Sequence, residues 1–204
     1  MSETSEFTIG SEVVCSDGVC GDLSRVVLDP VARTLTHLVV EPRHGRAIGH
    51  LVPIDLVDSA ANEIELRCTL VEFDALEDAE EIELLPGMGM GMGGMGGIDG
   101  TGAGGMGAGP QAITTDRVPE GEVEVRRGEH VHATDGAIGR VQGLLTDPGD
   151  DRVTHVLLDE GHLWGQKRVA IPIGAVRSVE DGVRLSLTKD EVRDLPAADL
   201  DHDE

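Results

Sequence analysis

The sequence predicts an all-β protein in which two small β-barrels stand in tandem, each ends in a short helix, and a disordered Gly/Met-rich linker joins them. Three observations support this class: an internal repeat, short apolar runs rich in β-branched residues, and turn residues between those runs. About five or six short strands per repeat favour a closed or half-closed barrel, because closure removes exposed strand edges.

The internal repeat aligns the two halves of the chain at an offset of 118 positions (135 − 17). The matched pairs at this offset are Asp17-Gly18 with Asp135-Gly136, Gly21 with Gly139, Asp29-Pro30 with Asp147-Pro148, and Thr36-His37 with Thr154-His155. After one inserted residue the match resumes, and Val52-Pro53-Ile54 corresponds to Ile171-Pro172-Ile173. The identical pairs lie at turn residues and the similar pairs at apolar residues, which indicates that the two repeats share one backbone fold.

Local signals place the elements within each repeat. Asp-Gly predicts a tight hairpin, because glycine tolerates positive φ, and Asp-Pro predicts a strand end, because proline has no N–H to donate. Thr188-Lys-Asp-Glu191 is a capping-box pattern that predicts a helix start, and the first repeat has Thr69 there. The predicted organisation is repeat 1 at 7–80, an acidic and Gly/Met-rich flexible linker at 81–124, repeat 2 at 125–196, and an acidic tail at 197–204.

The composition limits the classes of partner. The formal net charge is −23, which argues against direct binding of nucleic acid, because such binding depends on Lys and Arg neutralising phosphates. Met1–Phe7 lacks the basic and apolar stretches of a signal peptide, and no segment is apolar for long enough to span a membrane. Three cysteines do not form a disulfide framework. We therefore expect an acidic, cytoplasmic and bacterial protein.

The repeated pattern resembles the PRC-barrel family. The segments that carry the resemblance are Ile9–Pro30, Val131–Pro148, Thr154–Leu158 and Val169–Ile173, and it extends over 9–76 and 126–195. It implies a six-stranded β-barrel like those of the photosynthetic reaction-centre H subunit and the ribosome maturation factor RimM, where the barrel is a docking surface and not a catalyst. The chain lacks the membrane helix of the former and the neighbouring RNA-processing domain of the latter.

Histidines and cysteines are the candidate metal ligands. His37 corresponds to His155 and His44 to His162, so each repeat has one His in a strand and one in the next loop. They are either satisfied or solvated side chains, or a metal or pH-sensitive site. The three cysteines, Cys15, Cys20 and Cys68, align with apolar Ala133, Ile138 and Leu187, which predicts core packing and no metal site.

One loop in each repeat is the candidate protein-docking surface. In the second repeat it contains the single Trp beside basic residues, a composition typical of interface hot spots, although Trp164 could equally cover the barrel. The candidate residues are His162, Leu163, Trp164, Lys167 and Arg168, with Arg43, His44 and Arg46 in the first repeat.

The sequence thus predicts a non-catalytic adaptor that binds another protein, with no catalytic residues, no metal and no cofactor. Two alternatives remain, a ribosome or RNA-processing assembly factor that acts through a protein partner, and a metal-binding protein that uses the duplicated histidines. The two barrels are expected either to pack as a pseudo-symmetric pair or to move on the linker, and a homodimer is also possible.

Overall fold

The structure is a computed structural model that describes residues 4–43, 48–60, 63–85, 111–159, 168–179 and 182–195. The chain divides into two compact units. One comprises Met1–Ala79 together with Val118–Glu204, and the other comprises Glu80–Arg117. The first of these units contains both repeats, so the repeats pack together as one body.

The first repeat forms strands β1 to β7 and helix α1, with a turn of 3-10 helix between β5 and β6. The elements are β1 (Ser5–Thr8), β2 (Glu12–Cys15), β3 (Gly18–Asp29), β4 (Thr34–Pro42), β5 (His50–Pro53), β6 (Val57–Ala60), β7 (Ile64–Leu66) and α1 (Leu70–Phe73).

The second unit is a β-hairpin of β8 (Glu80–Leu85) and β9 (Gln111–Asp116), which pair antiparallel from Glu80 opposite Asp116 to Leu85 opposite Gln111. These strands correct the expectation of a wholly flexible linker over 81–124. Ile113, Thr114 and Thr115 are β-branched and favour extended backbone, and pairing satisfies the backbone groups of both ends. The Gly/Met-rich stretch 86–110 lies outside the described residues.

The second repeat forms β10 to β16 and α2 in the same order as the first. The elements are β10 (Val123–Arg126), β11 (His130–Ala133), β12 (Gly136–Thr146), β13 (Val153–Asp159), β14 (Arg168–Pro172), β15 (Val176–Ser178), β16 (Val183–Leu185) and α2 (Lys189–Arg193). A turn of 3-10 helix again follows the strand that ends in proline.

The chain forms two sheets of seven strands each, and the strand order is the same in both, which confirms the all-β class. The strand orders are β5-β4-β3-β2-β7-β6 in the first repeat and β14-β13-β12-β11-β16-β15 in the second. Pairing is antiparallel except between β2 and β7 and between β11 and β16. The seventh strand of each sheet comes from the other repeat.

This strand exchange joins the two repeats. Strand β1 pairs with β12 of the second repeat, and β10 pairs with β3 of the first. The two registers are equivalent, because Phe7 lies opposite Leu144 and Val125 lies opposite Val26. Phe7 and Val125 are both buried. We call the first sheet together with β10 and α1 the first module, and the second sheet together with β1 and α2 the second module.

The turn and cap signals of the sequence are confirmed in both modules. Strand β3 ends at Asp29, directly before Pro30. Both helices begin with complete capping boxes, at Thr69 with Glu72 and at Thr188 with Glu191. The hairpin aspartates have a further role, because Asp17 Oδ1 accepts a hydrogen bond from Leu70 N at 2.8 Å and ties the hairpin to α1. Asp135 does the same for α2, accepting from Lys189 N at 2.9 Å.

The larger of two hydrophobic clusters among the described residues runs through both modules. It contains Phe7 and Phe73, with Val, Leu and Ile side chains from both sheets. The duplicated glycines Gly21 and Gly139 allow close strand approach, because an added Cβ at Gly21 would lie 2.1 Å from the Glu41 carbonyl oxygen and one at Gly139 2.6 Å from that of Asp159. Strand exchange therefore unites two seven-stranded sheets around a shared core.

Candidate functional site

The seam between the modules is built from equivalent turns that follow β3 and β12. Leu35 N donates to the Asp151 carbonyl oxygen at 2.9 Å, and the equivalent Val153 N donates to the Arg33 carbonyl oxygen at 2.9 Å. Arg33 and Asp151 both have positive φ, at 58° and 55°. The repeated bonds and dihedrals show that this seam has local two-fold pseudo-symmetry.

Strand β10 and the turn before it make polar contacts with the first module. Among the described residues, β1 does not make the equivalent contacts with the second module. Arg25 is buried, and its Nη1 lies 3.3 Å from Glu124 Oε2. Thr36 Oγ1 donates to Glu122 Oε2 at 2.5 Å. At the position equivalent to Arg25 the second module has Gly143, where an added Cβ would lie 2.2 Å from the Phe7 carbonyl oxygen. The two halves of the seam therefore share a backbone conformation but differ in their polar side chains.

A cavity of about 180 Å³ opens at the seam between the end of β3 and the segment from the second 3-10 turn to Val179. Its apolar lining consists of Leu28, Pro30, Ile173, Val176 and Val179. Arg33, Arg177 and Ser178 also line it. This site could not be predicted from the sequence, because its residues come from separate modules and no local motif marks them.

The structure describes only the residues at the edges of the two candidate docking loops. Arg43 directly follows β4, and its guanidinium lies 2.6 Å from Glu12 and 2.9 Å from Asp22. Hydrogen bonding to the Asp22 carboxylate raises the pKa of Arg43. Arg168 begins β14, and its Nη1 lies 3.4 Å from Glu6 of the exchanged strand β1. The remaining candidates lie outside the described residues: His44, Arg46, His162, Leu163, Trp164 and Lys167.

Both strand histidines have a buried Nδ1 without a hydrogen-bond partner, and they differ in the charged group nearby. His37 Nδ1 lies 3.5 Å from Glu122 Oε2. His155 Nδ1 is buried without a hydrogen-bond partner, and burial lowers the pKa of His155. No group of three or more His, Cys, Asp or Glu side chains in the described part of the chain is arranged to hold a metal ion.

The three cysteines are buried free thiols in the first module, as the repeat alignment predicts. Cys20 Sγ donates to the Val13 carbonyl oxygen at 3.1 Å. Burial raises the pKa of both Cys15 and Cys20, which disfavours the thiolate that a metal or an electrophile needs. These residues act as small core side chains.

The second module combines six strands of its own with the exchanged strand β1 and the capped helix α2. Residues 129–192 match the model of the PRC-barrel domain. These residues form a PRC-barrel domain. The match confirms the resemblance found in the sequence over these residues. The first module repeats the strand order of this PRC-barrel domain at equivalent positions.

A similar protein occurs in Deinococcus radiodurans, where it is described as an uncharacterized protein. It is 39% identical to this chain over 59 residues, which is 28% of this chain and 22% of the relative. The aligned segment thus spans less than a quarter of the relative's length. Among the described residues, no helix combines the length and the apolar character that crossing a membrane requires.

Proposed function

We propose that the chain is a non-catalytic adaptor that binds another protein through the loops β4–β5 and β13–β14. The observation that carries this proposal is the strand exchange, which makes one body of two modules with equivalent folds and different loop sequences. Two loops of different sequence on one body suit recognition of one partner at two points, because the second contact then forms within one complex.

The ion pairs at the loop edges support the same proposal. Arg43 is held by Glu12 and Asp22 of the first module, and Arg168 contacts Glu6 of the exchanged strand. Each loop therefore begins or ends at a side chain that is fixed to the rigid sheet. A loop that is positioned by a scaffold is the usual carrier of binding residues.

The experiment is a native pull-down of the tagged chain from its own cells, with and without nuclease. We expect one partner in constant ratio that survives nuclease and is lost with the double variant Trp164→Ala/Lys167→Ala. Arg193→Ala serves as the matched control, because Arg193 is an exposed cation on α2 whose ion pair is with Asp190 of the same helix.

Two results would contradict the adaptor proposal. Retention of the partner by the loop double variant would exclude these loops as the docking surface. Recovery of ribosomal proteins only in the absence of nuclease would instead indicate the second candidate, an assembly factor for ribosomes or RNA processing.

A further inference from the structure

The cavity at the seam combines an apolar lining with two cations. Leu28, Val176 and Val179 are buried, and Ile173 is half-buried. The side chains of Arg33 and Arg177 are exposed, and neither guanidinium has a hydrogen bond or ion pair within the part of the chain that the structure describes. This arrangement offers two charged donors beside an apolar surface.

Unpaired arginines stand out in a chain with a net charge of −23. Several other described arginines have carboxylate partners, among them Arg25 with Glu124, Arg43 with Asp22 and Arg152 with Asp150. Carboxylates are abundant on this chain, yet none of the described ones pairs with Arg33 or Arg177. The seam cavity is thus a local site for an anion on an acidic surface.

The duplication provides a counterpart of the opposite charge. Asp151 occupies the position equivalent to Arg33, and Asp58 the position equivalent to Arg177. Asp58 is paired with Arg67 at 2.9 Å. The position equivalent to Leu28 is Thr146, so the apolar lining has diverged as well. Each of the two cations thus corresponds to a carboxylate in the other repeat.

We propose that the seam cavity binds a small organic anion that has one carboxylate and a short branched aliphatic body of about six carbons. Arginine fits a carboxylate well, because its planar group can donate two parallel hydrogen bonds. A cavity of roughly 150 Å³ accommodates benzene, so about 180 Å³ suits a body of this size and excludes a drug-sized ligand. This ligand site goes beyond the proposed adaptor function and does not depend on the docking loops.

The test is a methyl NMR titration of the full chain with 4-methylpentanoate, using 4-methylpentan-1-ol as the uncharged control. We expect saturable shifts at the methyl groups of Leu28, Ile173, Val176 and Val179. Each of the variants Arg33→Gln and Arg177→Gln should weaken binding about tenfold, since each removes a hydrogen bond between charged groups. Arg33→Lys should retain part of the affinity, because it keeps the charge and loses the paired donors.

Arg193→Gln is the matched control and should bind as the natural chain does. Thermal unfolding of each variant, measured without ligand, verifies that the substitution leaves the fold intact. The proposal is overturned if the alcohol binds as tightly as the carboxylate, if the glutamine variants bind unchanged, or if no shift saturates by about 10 mM, since fragment-sized ligands of good fit bind below that concentration.

Discussion

Thr34 and Arg152 occupy equivalent positions in the two repeats and form an antiparallel β-bridge with each other. A residue can meet its own equivalent in this way only where a two-fold pseudo-symmetry axis passes between them. The exchanged strands β1 and β10 obey the same symmetry. The chain thus has the interface of a symmetric dimer within one polypeptide, and each module depends on the other for one strand.

Phe7 is the largest side chain that one repeat places in the core of the other. Its ring is 2% exposed, and its strand pairs with β12. Phe7→Ala should lower the free energy of unfolding by about 3–5 kcal/mol, through lost transfer energy and a residual cavity. Denaturant unfolding measures this loss, and hydrogen exchange should report it mainly at β12 and β13.

The control for this substitution is Val31→Ala, because Val31 is 91% exposed. It should change the free energy of unfolding by no more than about 0.5 kcal/mol. Loss of protection confined to β3 and β4 would contradict the exchanged position of β1.

Gly143 makes room for the exchanged strand. An added Cβ there would lie 2.2 Å from the Phe7 carbonyl oxygen, a backbone atom that cannot move without displacing β1. Gly143→Ala should therefore destabilise the chain by about 1–3 kcal/mol, as overpacking does. Gly174→Ala is the matched control, since no heavy atom lies within 4 Å of its added Cβ, and it should be neutral. Equal unfolding midpoints for the two variants would refute this account.

The elements within each module could be predicted from the sequence because their signals are local. The Asp-Gly hairpins, the strand end before Pro30 and the cap at Thr188 each depend on backbone chemistry within a few residues. The strand exchange could not be predicted in this way. Ser5–Thr8 and Val123–Arg126 align at the same offset, but alignment does not say which sheet a strand joins.

The seam cavity shows the same limit of sequence reasoning. The exchange of Arg33 for Asp151 and of Arg177 for Asp58 is visible in the repeat alignment as two charge reversals. Such charge reversals are common on exposed turns. Whether they create a binding site depends on which residues meet across the seam. Only the pairing of the two modules brings Arg33 and Arg177 to one cavity.

Burial of His155 makes stability depend on pH. Its pKa in the folded protein lies below the ordinary value of 6.5, so the unfolded chain takes up the proton first as pH falls. The stabilising contribution is therefore complete above about pH 6.5 and is lost as pH decreases from there toward the lower folded pKa. We expect the natural chain to lose stability relative to His155→Gln between pH 7 and pH 5 in parallel denaturant titrations. Val31→Ala, at an exposed and non-titrating residue, is the control and should follow the natural chain throughout.

Each repeat in isolation lacks the strand that the other repeat supplies to its sheet. A fragment of residues 4–79 keeps β1 but lacks β10, so one edge of β3 has no partner strand. Because β1 and β10 have equivalent registers, β1 of one copy can occupy the β10 position of another, and the fragment should form a symmetric dimer. Sedimentation measures this, and a fragment that begins at residue 10 is the control that should remain monomeric.

Mixing this fragment with residues 118–195 distinguishes the native pairing from the symmetric one. Phe7 would replace the smaller Val125 in a dimer of the first fragment, which crowds the core, and Val125 would leave a cavity in a dimer of the second. The mixture should therefore form a one-to-one complex at the expense of both homodimers. Two monomeric, separately folded fragments would show that strand exchange is not required for either module, and would remove the basis for treating the two modules as one body.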